Sequence, residues 1–219
     1  MANKKVQLAT IANEISHCQK CALCQSATNP VPGEGNPDSL VFFVGEAPGY
    51  YEDQQGRPFV GRAGKLLDEA LKNIGMTRED VFISNVLHHR PPSNRDPLPN
   101  EVEVCKSYVM RQLEIIQPEI LATLGRFAMN LFLPEAKISQ THGMMKRADE
   151  PASAGRDKFD FVIFPLYHPA AALRSTKIKD DFLSDFEKLG KLVKMKNGEV
   201  TALMGRDEED MKTEQMGLF

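Results

Sequence analysis

The sequence predicts an α/β protein of three layers, α/β/α, with helices on both faces of a central four-stranded, mainly parallel sheet. Three observations carry this reading. Four largely apolar runs of strand length recur along the chain, at residues 40–44, 81–83, 119–124 and 159–166. Segments with apolar residues at helical spacing lie between them, and strands alternating with helices build parallel sheets covered on both sides. The length of 219 residues, 42% hydrophobic and 26% charged, suits one well-buried core and is short for two ordinary domains.

Each element follows from its local pattern. Residues 5–17 place Val6, Leu8, Ile11 and Ile15 on one helical face, and a turn-rich stretch then runs from 29 to 39. The first strand, 40–44, stops at Gly45. Residues 64–74 set Leu66, Leu67, Leu71 and Ile74 on one side of a helix. The second strand runs from 81 into Asn85, and a helix covers 100–116. The third strand ends at Gly125 and is followed by a short helix to Leu133. The fourth ends at His168-Pro169, before a last helix over about 180–195. In parallel sheets ligands bind beyond the carboxyl ends of the strands. Gly45-Glu46, Asn85, Gly125 and His168 therefore converge on one edge of the fold.

Composition limits the partners. The net charge of −3 gives no whole-protein positive field, so any nucleic-acid contact must rest on a local patch. No window approaches the roughly 18 apolar residues of a membrane span. The N-terminal residues show no apolar leader, so the expected setting is the cytoplasm and the expected state a monomer.

The strand-end residues have chemistry to offer. Gly45-Glu46-Ala47-Pro48-Gly49 makes a tight turn whose backbone N–H groups can approach a flat ligand; a plain strand-to-helix turn is the alternative. In Gly56-Arg57-Pro58-Phe59-Val60-Gly61 the phenylalanine is either a core plug or a stacking platform. The Asn85 amide offers a donor and an acceptor together, or simply closes a turn. His168 can donate to a developing anion, or cap a helix.

Taken in order, Gly45 to Gly49 with Glu52-Asp53 downstream, then 56–61, then Asn85-Val86 near Arg90-Pro91-Pro92, then His168-Pro169, resemble the family 4 (iron–sulfur) uracil-DNA glycosylases. The match runs from about Cys18 to Leu192. The resemblance implies that the protein flips uracil out of DNA and hydrolyses its N-glycosidic bond in DNA repair. Gly45, Glu46, Ala47 and Pro48 would line the uracil pocket, Phe59 would stack on the base, Asn85 would read its edge and His168 would support the uracil anion. Glu46 and Glu52 are the two candidate carboxylates. Leu173 and Arg174 match the loop that fills the space left by the flipped base. Arg57, with Arg62, Lys65, Arg90, Arg95, Lys177 and Lys179, would supply local phosphate contacts. A non-cleaving or covalently trapping binder of uracil-DNA, or a clamp-docked accessory protein, are the alternatives.

Cys18, Cys21 and Cys24 lie at two-residue spacing, with Cys105 far downstream, and such a set in a cytosolic chain reads as a metal or cluster site. The family holds a [4Fe–4S] cluster on four cysteines. Cys18, Cys21 and Cys105 fall on three of those positions, and His89 occupies the fourth. The expected ligands are these four, forming a cluster region of 18–24 plus 89–105. Cys24 is the alternative to His89, and zinc or no metal the alternatives to the cluster. The glycosylase domain is expected over 1–196. A charged flexible tail, 197–219, ends in Gln215-Met216-Gly217-Leu218-Phe219, which resembles peptides that bind the bacterial sliding clamp; Gln215, Leu218 and Phe219 are its anchors.

Overall fold

The computed structural model describes residues 3–147 and 161–196. Helix α1 (Lys4–Ser16) begins at Asn3, whose side chain accepts the Lys5 amide proton at 2.9 Å, and buries Ile11 and Ile15. The single turn α2 (Leu23–Ser26) follows, then the two-residue strand β1 (Glu34–Gly35). Strand β2 (Val41–Gly45) leads into α3 (Tyr50–Gln55) and α4 (Arg62–Asn73). Strand β3 (Phe82–Asn85) is followed by a 3-10 turn at Pro92–Asn94 and by α5 (Pro99–Ile116). Then come β4 (Ile120–Leu124), α6 (Arg126–Phe132), α7 (Ile138–Thr141) and β5 (Lys146–Arg147). Strand β6 (Val162–Leu166), the short α8 (Pro169–Ala172) and the long α9 (Thr176–Lys196) complete the described chain.

The sheet order is β1-β3-β2-β4-β6-β5. The inner four strands are parallel, and β1 and β5 pair antiparallel at the two edges. The expected four-stranded parallel sheet is therefore its centre. The edge strands escape a reading from sequence because two residues carry no periodicity. The register sets Gly45 beside Asn85 and Leu124 beside Leu166, which brings the chemically active strand ends level.

Near-continuous apolar strands imply burial on both faces, and alternate residues do pack to opposite sides. Val41, Phe43, Ile83, Ala122 and Phe164 meet residues of α4 and α9, including Leu67, Phe182 and Phe186. Phe42, Val44, Phe82, Leu121 and Ile163 meet Val109 and Leu113 of α5 and Met129 of α6. A third cluster joins Ile11, Ile15, Leu23 and Leu87 to Cys105 and Tyr108, with Cys18 and Cys21 packed against it. The last strand starts at Val162 where sequence placed it from 159; residues 159 and 160 lie outside the described residues, as does the tail with Gln215, Leu218 and Phe219.

Candidate active site

A cavity of about 770 Å³ opens at the carboxyl ends of the parallel strands. Glu46, Ala47, Pro48 and Glu52 line it from the β2 side, Asn85 from β3, Gly125 from β4 and His168 from β6, with Phe59 and Arg174 completing the wall. Gly45 lies beneath. A β-carbon there would stand 2.4 Å from Asn85 Oδ1 and 2.5 Å from Phe59 Cζ, so only glycine lets amide and ring close over the strand. Leu173 stands beside Arg174, 39% exposed.

The Phe59 loop is held from several directions. Phe59 itself has φ of 51°, left-handed backbone that a bulky residue adopts only when its surroundings impose it. Glu52 Oε1 accepts the N–H groups of Val60 and Gly61 at 2.9 and 2.8 Å. Arg78 donates to the carbonyls of Phe59, at 2.9 Å, and Pro58, at 2.5 Å. Gly64 lets the first turn of α4 close on the Phe59 carbonyl, where a β-carbon would come within 1.6 Å of its oxygen. The Phe59 ring is thus fixed, buried, 5.8 Å between centroids from the His168 ring. One oxygen of Glu52 is committed to this loop.

Asn85, His168 and Glu46 are the polar strand-end groups of the wall. Asn85 is 1% exposed and, among the described residues, its Oδ1 has no hydrogen-bond partner. A buried acceptor left empty in a cavity wall is suited to an N–H from a ligand. His168 caps α8, and its Nδ1 accepts the Ala170 N–H at 3.1 Å, so the ring proton sits on Nε2. Burial, aided by the charge of Arg174, pushes its pKa down to about 4 and keeps it neutral at neutral pH. Burial, then the nearby Asp96 carboxylate, pushes Glu46 up to about 7 against the opposing charge of Arg126.

Some wall residues were not singled out from sequence. Asp96 and Arg126 form an ion pair at 2.5 Å, and both line the cavity. Arg126 follows Gly125 directly, so the strand-end rule is the signal that could have found it; Asp96 sits in a loop without any periodic signal. Tyr167 lines the cavity and packs at a tilt of 36° against the His142 ring, 4.4 Å between centroids. The His142 Nδ1 is bound at 2.6 Å to the buried Asp185 carboxylate, which also takes Lys188 at 2.8 Å. Arg57 is not brought to the cavity wall. Its exposed guanidinium is paired with Glu34 at 2.7 and 2.9 Å, which leaves it engaged on the flank.

The cysteines gather beyond the C-terminal end of α1. Cys18, Cys24 and His89 line a second cavity of about 610 Å³. Cys105 is buried, and burial, with Cys21 and Cys18 close by, pushes its thiol up to about 12. Cys24 Sγ donates to the Cys21 carbonyl at 3.2 Å. Neighbouring His88 is fully buried, with Nδ1 bound to the Val31 carbonyl at 3.0 Å. Among the described residues no three His, Cys, Asp or Glu side chains stand at ligating distance. The donor set nonetheless fits a soft metal centre: thiols from two segments and an imidazole from a third, beside an apolar cluster that shields them. Asp53 ties this region to the active site, since its Oδ1 accepts the Thr28 N–H at 2.8 Å from within α3.

The fold, the strand-end cavity and the paired ring and amide over Gly45 define a class. The chain belongs to the uracil DNA glycosylase superfamily, whose family model matches residues 32–189. Within it the chain is similar to enzymes of type 4. The chain is 47% identical over 190 residues to the type-4 uracil-DNA glycosylase of Archaeoglobus fulgidus, covering 84% of this chain and 92% of that protein. It is 39% identical over 196 residues to the type-4 enzyme of Thermotoga maritima, covering 89% and 98%. A type-5 uracil-DNA glycosylase of Thermus thermophilus is 27% identical over 143 residues, 58% of this chain and 65% of that protein.

Proposed function

We propose that the protein is a DNA-repair hydrolase that takes uracil flipped out of DNA and cleaves its N-glycosidic bond, leaving an abasic site. The observation that carries this reading is the buried Asn85 Oδ1, without a partner among the described residues, in a cavity wall shared with Phe59 and a neutral His168. Uracil offers N3–H to Asn85 Oδ1 and O4 to its Nδ2, whereas cytosine presents the opposite pattern on that edge and leaves the buried amide unmatched. Phe59 stacks on the pyrimidine face.

The chemistry follows from the same groups. The C1′–N1 bond breaks with its electron pair going to N1, and the charge spreads to O2. His168 Nε2–H donates to O2 as that charge grows, a preorganised donor at the site of charge development. Water adds to C1′ and gives its proton to Glu46, whose carboxylate is poised near neutrality. Glu52 positions the Phe59 loop rather than the water. Leu173 fills the vacated stack while Arg174 holds a phosphate. The covalently trapping alternative gains no support, because His89 lies with Cys18 and Cys24 and not in the uracil cavity.

The cysteine region is proposed to hold a [4Fe–4S] cluster on Cys18, Cys21, Cys105 and His89. When bound it supplies a structural cross-link between the N-terminal segment and the loop before Pro91. The tail is proposed to dock on the bacterial sliding clamp through Gln215, Leu218 and Phe219, and the protein to work as a cytoplasmic monomer. Incubation with a uracil-containing oligonucleotide followed by hot alkali tests the main claim: strand scission supports it, and intact DNA overturns it. Anaerobically purified protein should be brown with stoichiometric iron, and His89→Ala should lose iron while Cys24→Ala keeps it; the reverse order makes Cys24 the ligand. Deleting the last five residues should abolish clamp binding with scission unchanged, and equal clamp binding refutes the tail proposal.

A further inference from the structure

Resting on the glycosylase reading above, we propose that Tyr50 and Tyr51 form a stacking site for a base flanking the flipped uridine, so that single-stranded uracil-containing DNA is held better than duplex. Both side chains are large and apolar yet 53% and 56% exposed. Their rings meet edge to face, 5.4 Å apart at 81°. They stand between Gly49 and Glu52, which both line the uracil cavity, so the pair sits at its rim. Among the described residues neither phenol hydroxyl has a hydrogen-bond partner, and neither ring belongs to a buried cluster. Core packing does not account for them.

The pair is nonetheless held in place. Tyr51 lies against Gly61, where a β-carbon would come 3.3 Å from its Cδ2, so it rests on the loop that fixes Phe59. The Arg90 guanidinium lies 5.2 Å from the Tyr50 ring centroid and is itself steadied by a 2.7 Å bond to Asn94, another cavity residue. An aromatic ring with an arginine alongside is how proteins hold unpaired bases, the ring taking the base and the cation the backbone. The site is continuous with the cavity, so the occupant is the nucleotide next to the uridine on the same strand. In a single strand that base is free to leave its neighbours and stack on tyrosine. In a duplex it stays paired, and the site contributes little. Stacking on a side chain is tolerant of base identity because every base has a π face.

The test uses the full chain as purified, with parent, Tyr50→Ala, Tyr51→Ala, the double alanine variant and the double phenylalanine variant. Binding is read by fluorescence anisotropy with an oligonucleotide carrying 2′-fluoro-deoxyuridine, which resists cleavage, as a single strand and annealed to its complement. Uracil release is measured in parallel. The double alanine variant should weaken single-strand binding by about ten- to a hundredfold, leave duplex binding and the salt dependence unchanged, and keep its thermal midpoint. The phenylalanine pair should bind like the parent, since stacking needs no hydroxyl. The single variants carry the same test should the double alanine variant fold poorly. Unchanged single-strand affinity, or equal loss on both forms, overturns the stacking site. Tyrosine-dependent binding without uracil release by the parent would sustain the stacking site and overturn the glycosylase reading instead.

Discussion

Placing one methyl group at Gly45 tests the geometry of the pocket floor. Gly45 is not among the glycines of positive φ, so its backbone accepts alanine and the effect is purely one of space. The new β-carbon would lie 2.4 Å from Asn85 Oδ1, 2.5 Å from Phe59 Cζ and 2.8 Å from Phe59 Cε2. Carbon atoms rest about 3.5–4.0 Å apart, so ring and amide must each retreat by ~1 Å. Neither has room: Asn85 is 1% and Phe59 5% exposed. Overpacking of this kind costs about 1–3 kcal/mol of stability. A displacement of ~1 Å in positioning groups costs on the order of 10²-fold in rate. Gly45→Ala should therefore fold with a lowered thermal midpoint and release uracil about a hundred times more slowly in single-turnover assays. Inhibition by free uracil should weaken in parallel. A well-folded Gly45→Ala protein with a near-parental single-turnover rate would refute the placement of Asn85 and Phe59 as the base-reading pair.

Five further outcomes follow. Glu46 is held up at about 7 in the folded protein, so its ionised, proton-accepting form grows in and the rate rises as pH climbs through 7; Glu46→Gln should be slow and lack this limb, and a surviving limb assigns the base elsewhere. The same raised pKa means that Glu46 favours the fold below its usual value of 4.5 and that this contribution fades as pH rises to about 7, so thermal melting of Glu46→Gln should lose that part of the parent's pH dependence. His168→Ala should lower kcat by about 10²–10³-fold; because His168 stays neutral above about 4, no limb in the parent's profile near neutrality should vanish with it. Glu52→Ala strips the acceptor from two loop amides and should cost about 2 kcal/mol in thermal or denaturant unfolding. Arg174→Gln should reduce the slope of log affinity against log salt by about 1, and an unchanged slope would place the phosphate contact elsewhere.

The layered fold was legible because its strands are buried on both faces and therefore apolar throughout, as in Val41–Gly45 and Ile120–Leu124. The edge strands and the short helices α3 and α8 were not, since two to six residues are set by tertiary contacts and carry no pattern of their own. Within the site, residues that terminate strands were readable from position alone: Gly45, Asn85 and His168 had to emerge on one edge. What sequence could not supply was division of labour. Glu46 and Glu52 are the same side chain six positions apart, and only the hydrogen bonds to Val60 and Gly61 distinguish a loop tether from a free carboxylate. Arg57 and Arg174 likewise read alike until Glu34 is seen to engage the first.

That last contrast also resolves how a chain of net charge −3 meets DNA. The basic residues around the cavity are not equivalent. Arg95 is committed to the buried carboxylate of Glu101 at 2.6 and 2.9 Å, which gives it the job of bracing the loop before α5. Arg126 shares an exposed pair with Asp96, and such pairs are weak and easily screened, so a phosphate can replace the carboxylate at little cost. Among the described residues Arg174 is tethered through Nε alone, to the Ala170 carbonyl at 3.1 Å, which leaves its terminal nitrogens directed by one anchor. The mouth of the cavity thus carries no excess of bases: Arg95 and Arg126 are paired in place with Glu101 and Asp96, so a DNA contact there rests on individual arginines and not on a net positive field. Arg174, proposed above to hold a phosphate, also helps through its charge to keep His168, the proposed donor to the departing base, neutral.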